Sequence, residues 1–207
     1  MILEQDIVFL YFFDANDSRS TDEKIVAAAA LYANTNKIPT LSDPVVHRTE
    51  RGKPYIAGES GIGVSVSHSG EWVVCALTEG KVGVDIEHHR QSGENNISKI
   101  EERFSQIAKR FFHPDEAEFV KEDPHRRFYK IWTAKESYVK YTGTGMDETF
   151  GEHSVLSPVL IESESRMQGN SFCWKSEDVY FRQMPYKKEY TLCVCKANKF
   201  DIKISYI

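Results

Sequence analysis

Apolar residues in this 207-residue chain change their spacing twice, and each change marks a change of secondary structure. Up to Glu87 the pattern is that of strands, interrupted by one helical stretch. Residues 2–13 (ILEQDIVFLYFF) predict a first strand, and residues 21–34 predict a helix capped by Ser20 or Thr21. A loop carrying Pro39, Pro44 and Pro54 follows. Ile62, Val64 and Val66 alternate, Trp72–Leu77 is continuously apolar, and Ser67-His68-Ser69-Gly70 between them predicts a tight hairpin connection. Another strand is expected over Lys81–Glu87. From Ile97 the period becomes helical, with Ile100, Phe104, Ile107, Ala108 and Phe111 on one face. His113-Pro114 breaks that helix, a short acidic one follows, and Asp123-Pro124 opens a third that ends at Thr142-Gly143. From Ser154 onward strand-like alternation returns.

A block of helices enclosed by strand-rich stretches predicts an α+β fold of two units dividing near Gly80, residues 1–80 and residues 81–207. GIGVSVSH (61–68) and KVGVDIEH (81–88) resemble each other and read as two neighbouring strands of similar composition. With 41% hydrophobic and 12% aromatic residues, the chain has ample material for a core. It contains no apolar run long enough for a membrane helix and no leader pattern, so a cytoplasmic protein with no membrane partner is expected. Cys75, Cys173, Cys193 and Cys195 all lie in apolar strand-like segments without C-x-x-C spacing and read as reduced core residues. A net charge of -5 argues against a nucleic-acid partner. Lys109-Arg110, Arg126-Arg127 and Lys187-Lys188 are either solvated surface or local docking points for an acidic partner.

Asp85 and Glu87, two apart on a strand, point to the same face. Spacing alone leaves two readings open: a solvated acidic strand end, or oxygen ligands for a hard cation such as Mg2+. On the third helix, Phe128, Ile131, Trp132, Tyr138 and Val139 form an apolar arc with Lys135 near its centre, and a lysine there needs a partner or must snorkel outward. Glu136 and Lys140, four apart, share an edge of the helix. A metal-bound polyphosphate would satisfy all of these groups. Neither a P-loop nor a dinucleotide-binding glycine motif is present. Gly143-Thr144-Gly145 reads as the helix stop, and His68, taken alone, as a turn residue or a phosphate donor.

Gly52-Lys53-Pro54, Ser67-His68-Ser69, Gly83-Val84-Asp85-Ile86-Glu87 and Trp132-Thr133-Ala134-Lys135-Glu136-Ser137-Tyr138-Val139-Lys140, in this order, resemble the motifs of the Sfp-type 4'-phosphopantetheinyl transferases. The last two match the family patterns G-[IV]-D-x-E and W-x-x-K-E-[SA]-x-x-K. The resemblance implies a pseudo-dimer of two similar α+β halves, each a small antiparallel sheet packed with helices, holding coenzyme A in the cleft between them. One chain carries both halves, so a monomer is expected.

By the same resemblance Asp85, Glu87 and Glu136 would hold Mg2+, and Lys135 and Lys140 the phosphates. His68, with Ser67 beside it, would contact the pyrophosphate, and Lys53 and Pro54 would border the adenine-ribose side. Glu116 matches an acidic position near the site. Lys24 aligns where the family usually has an arginine for the 3'-phosphate, a departure for which Arg19 or Arg51 would compensate. The implied reaction moves 4'-phosphopantetheine from coenzyme A to a serine of an apo carrier protein and releases 3',5'-ADP, with Glu136, Asp85 and Lys140 carrying the chemistry. The carrier would dock on local basic and apolar residues such as Lys109, Arg110, Phe111 and Phe112. The rival readings are a non-catalytic coenzyme A-binding regulatory module and a metal-dependent hydrolase of nucleotide pyrophosphates.

Overall fold

The computed structural model describes residues 6–38, 44–58, 61–89, 97–146, 148–157, 171–176 and 178–207. The expected start of the first strand at residues 2–5 lies outside them. In chain order the elements are β1 (Asp6–Asp14), α1 (Thr21–Asn36), β2 (Val46–Arg48), β3 (Pro54–Ile56), β4 (Ile62–Ser69), β5 (Trp72–Glu79) and β6 (Gly83–His88). Then come α2 (Ile97–Phe111), α3 (Pro114–Glu122), α4 (Pro124–Thr142), β7 (Phe172–Ser176), β8 (Val179–Tyr186), β9 (Tyr190–Lys196) and β10 (Phe200–Tyr206).

Two four-stranded sheets stack between helices. The first has the order β10-β1-β5-β4, the second β6-β9-β8-β7. Strand alternation sorts β1 into two faces: Phe9, Tyr11 and Phe13 pack on Ile25, Ala28, Ala29 and Tyr32 of α1, whereas Val8, Leu10 and Phe12 pack on Val84, Ile86, Leu192 and Val194 of the second sheet. Burial on both faces is why the β1 sequence is an unbroken apolar run. The far face of the second sheet, with Phe181, Cys193 and Cys195, is covered by α2, α3 and α4 through Phe104, Phe119, Ile131 and Ala134. All four cysteines are free; three are buried and Cys173 is half-buried.

Local signals explain the helix ends. Ser20 accepts from the Glu23 amide while the Glu23 carboxylate accepts from the Ser20 amide, a reciprocal cap. His113 and Glu116 do the same for α3, and Gly143, at φ 79°, terminates α4 in the left-handed conformation.

Three features differ from the sequence reading. β4 runs on through His68 and Ser69, and the hairpin turns at Gly70-Glu71 instead, because Gly70 takes φ 56° in a spot where a Cβ would lie 2.4 Å from the Tyr190 hydroxyl. The first sheet is not wholly antiparallel: β10 runs parallel to β1, from Asp6 opposite Phe200 to Phe12 opposite Tyr206. Residues 81–207 therefore do not all stay with the second sheet. The open edge of β1 is filled by the last strand, and the fully buried Phe200 joins the core between the sheets.

Candidate active site

The two sheets meet where β4 lies beside β6. Ser65, Ser67 and Ser69 alternate along β4, so all three hydroxyls face β6, where they accept hydrogen bonds from the amides of Val84 (3.0 Å), Ile86 (3.3 Å) and His88 (2.9 Å). On β6, Gly83 lets α4 approach closely, since a Cβ there would lie 1.8 Å from the Ser137 carbonyl oxygen. This brings the β6 carboxylates under the Glu136–Lys140 edge of α4.

Asp85 is buried. Its Oδ1 accepts from the Ser67 hydroxyl (2.7 Å) and from Lys140 Nζ (2.7 Å), and Lys140 also donates to Ser67 Oγ (2.9 Å). Its Oδ2 is buried with no hydrogen-bond partner among the described residues. Glu87 accepts from the Ser69 hydroxyl (3.1 Å) and from the Trp132 indole N–H (3.1 Å). Glu136 is half-buried and makes no hydrogen bond or ion pair among the described residues.

Burial raises the Asp85 pKa against the pull of Lys140 and Ser67. It raises that of Glu87 too, helped by the charge of Asp85. Glu136 is pushed up to about 7 by burial and then by Asp85 and Glu87, with Lys140 opposing. Three carboxylates thus repel one another across one small region. Among the described residues no three such side chains converge tightly enough to cage a metal ion, yet the set is all oxygen and mutually repelling, and it leaves Asp85 Oδ2 buried without a partner, which suits a hard divalent cation.

Beside this cluster opens a cavity of about 290 Å3 lined by Thr21, Arg48, Arg51, Gly52, Lys53, Pro54, Ser65, Val66, His68, Val139, Lys140, Gly143 and Gly145. Arg48 donates to the Gly52 carbonyl (3.0 Å) and to Asp22 (2.5 Å). Lys53 donates to the Tyr141 carbonyl (2.9 Å) and Arg51 to that of Thr144, so the Arg51–Pro54 loop straps onto the C-terminal end of α4. Burial, with Lys81 nearby, pulls the Lys53 pKa down to about 8. A second cavity of about 680 Å3 shares Arg51, Lys53, Pro54 and Gly143 with the first. The first is a cationic recess bordered by a carboxylate cluster, a charge pattern suited to phosphate groups.

The structure therefore gathers Asp85, Glu87, Glu136, Lys140 and Ser67, with His68, Lys53 and Pro54 along the adjoining cavity. It sends two other expected ligands elsewhere. Lys135 is 2% exposed, and its ammonium lies 2.9 Å from Glu116, donates to the His153 carbonyl (2.6 Å) and sits over the Phe150 ring. Glu116, fully buried, also accepts from the amides of His113 (2.9 Å) and Val155 (2.7 Å). The partner that Lys135 requires is thus a carboxylate of α3. Lys24, also buried, donates to the carbonyls of Asp17 and Arg19, while Arg19 pairs with Asp17. Neither lysine lines the cavity. Arg48 does, although nothing in its local sequence distinguishes it. The roles of Ser65, Ser69 and Trp132 were also missed; the i, i+2, i+4 serines were the one signal available.

The family model of the 4'-phosphopantetheinyl transferase superfamily matches residues 81–195. The chain is 32% identical over 154 residues to a 4'-phosphopantetheinyl transferase of Bacillus subtilis, covering 72% of this chain and 61% of that protein. It is 38% identical over 103 residues to the 4'-phosphopantetheinyl transferase gsp of Aneurinibacillus migulanus, 48% of this chain and 38% of that protein. To the 4'-phosphopantetheinyl transferase Sfp of Bacillus subtilis strain 168 it is 34% identical over 110 residues, 51% and 44% respectively. The matched region spans less than two thirds of each of these relatives. With more than half of its length matched by the family model, and with Asp85 and Glu87 of β6 and Glu136 and Lys140 of α4 meeting inside that match, the chain belongs to the 4'-phosphopantetheinyl transferase superfamily.

Proposed function

We propose that this chain transfers 4'-phosphopantetheine from coenzyme A to a serine of an apo carrier protein, leaving 3',5'-ADP. The observation that carries the reading is the meeting of three mutually repelling carboxylates and Lys140 at the rim of a cationic cavity. Asp85, Glu87 and Glu136 would hold Mg2+, which when bound would neutralise charge on the pyrophosphate. Arg48, Arg51 and Lys53 would receive the nucleotide end of coenzyme A, with His68 and Lys140 beside the pyrophosphate. Glu136, poised near neutral pH, would take the proton of the attacking serine hydroxyl. Positioning and charge neutralisation would supply most of the rate.

A monomer working in a reducing cytoplasm is part of the proposal, supported by both halves lying in one chain and by four free thiols. No helix among the described residues is long and apolar enough to cross a membrane. The carrier would dock on α2, where Lys109, Arg110 and the 42% exposed Phe111 lie at the surface while Phe112 is buried. Charge reversal at Lys109 and Arg110 should raise KM for the carrier with little change in kcat.

The direct test incubates the protein with coenzyme A, Mg2+ and an apo carrier protein and measures the intact mass of the carrier with and without chelator. A gain of one phosphopantetheine that chelation prevents is the expected result. No gain with several carrier classes, while coenzyme A still binds, would leave a regulatory module; coenzyme A breakdown without carrier would mean a hydrolase.

A further inference from the structure

Lys140 is the cation that neutralises Asp85. Its ammonium touches Asp85 Oδ1 at 2.7 Å and Ser67 Oγ at 2.9 Å. Of the three carboxylates, only Asp85 has an ammonium partner: Glu87 accepts from a hydroxyl and an indole, and Glu136 has no partner among the described residues. Asp85 is 4% exposed, so its charge depends on a close counter-cation. A second cation taking the unpartnered Oδ2 of the same carboxylate would stand close to that ammonium, at a range where like charges repel strongly.

Lys140 has somewhere else to go. Its side chain is 27% exposed, it stands in the last turn of α4, and it is itself a wall of the 290 Å3 cavity. A flexible four-carbon stem can carry the ammonium from Asp85 to an anion in that cavity without moving the helix. Ser67 anchors the resting position, since its oxygen is shared among Lys140, Asp85 and the Ile86 amide.

We propose that Lys140 competes with the divalent cation for Asp85, and that a polyphosphate in the cavity relieves the competition by drawing the ammonium away. The proposal rests on the reading of this site as a metal and coenzyme A site. Metal alone binds weakly because the ammonium held on Oδ1 repels a cation that takes the unpartnered Oδ2 of the same carboxylate. Metal with coenzyme A binds tightly because the ammonium has a new partner, so the two are positively coupled through one side chain.

The test titrates Mg2+ calorimetrically into wild type, Lys140→Met and Ser67→Ala, without carrier, while the lysine ammonium resonances are followed by NMR. The Lys140 signal is identified by its absence from the Lys140→Met spectrum. Mg2+ alone should bind Lys140→Met about tenfold or more tighter than wild type, the equivalent of one charge-assisted hydrogen bond. Ser67→Ala should show a smaller gain in the same direction. In the wild type the Lys140 signal should move on adding coenzyme A, and Mg2+ should then bind more tightly. Equal Mg2+ affinity in wild type and Lys140→Met, or a Lys140 signal that stays in place when metal and coenzyme A are both bound, overturns the proposal. Should Lys140→Met fail to fold, Lys140→Arg, which keeps the charge, identifies the wild-type signal instead, and that signal with the Mg2+ affinity of Ser67→Ala still decides it. Because no carrier is present, a failed carrier-mass assay would reject the transferase reading and leave this result standing, and the reverse also holds.

Discussion

Glu136 has a pKa of about 7 in the folded protein, against a reference value of 4.5. A raised carboxylate pKa means the folded state holds its proton more tightly than the unfolded state, so stability falls as pH rises from about 4.5 to about 7. Without metal, wild type should lose on the order of 2 kcal/mol across that window, a loss that Glu136→Gln largely avoids. Urea denaturation of both proteins in chelator at acidic and mildly alkaline pH checks this, and parallel pH profiles would refute it. Lys135 and Glu116 make a different prediction. Breaking this buried pair from either side, with Lys135→Met or Glu116→Gln, should cost about 3–5 kcal/mol, and the double variant less than the sum. Singles that each cost under about 1 kcal/mol would show that the pair is not what holds α3 to α4. The need of Lys135 for a partner was legible in the apolar arc around it. That the partner is Glu116 was not, because the two stand on different helices and meet only when α3 packs on α4.

At the scale of elements, the site depends on how closely α4 lies on β6. Gly83 sets that distance, and Gly83→Ala would force its methyl against the Ser137 carbonyl and the Tyr141 amide, 1.8 Å and 2.6 Å from the new atom. The expected cost is about 1–3 kcal/mol, as for other overpacked contacts. Glu136 and Lys140 should move away from Asp85 with the helix, lowering the proposed transfer activity at full coenzyme A. A variant as stable and active as wild type would show that the helix has slack. The helices themselves were readable, because their caps are local: Ser20 with Glu23, His113 with Glu116, Asp123 before Pro124, and Gly143 at the end. β4 runs three residues past the expected strand end at Val66, because Ser67-His68-Ser69 has turn-like composition whereas its serines are spent on β6.

At the scale of the whole molecule, β10 ties the end of the chain to its beginning. Deleting residues 199–207 would uncover the β1 edge and remove the fully buried Phe200. The truncated chain should lose cooperative unfolding of both sheets together, read as a broadened thermal transition with exposed apolar surface. A sharp, unshifted transition would show that β10 is dispensable.

What the sequence determined by itself is what depends on near neighbours along the chain: the spacing of apolar residues, the helix caps, and the carboxylates and lysines whose motifs match the family. Tertiary structure alone decided which of those charges share a site. Lys135 and Lys140 lie on the same helix within one motif, yet one is buried against Glu116 and the other reaches Asp85. Coulomb and desolvation energies depend on distances through space, and those distances exist only once α4 has settled on β6 and the last strand has closed onto the first.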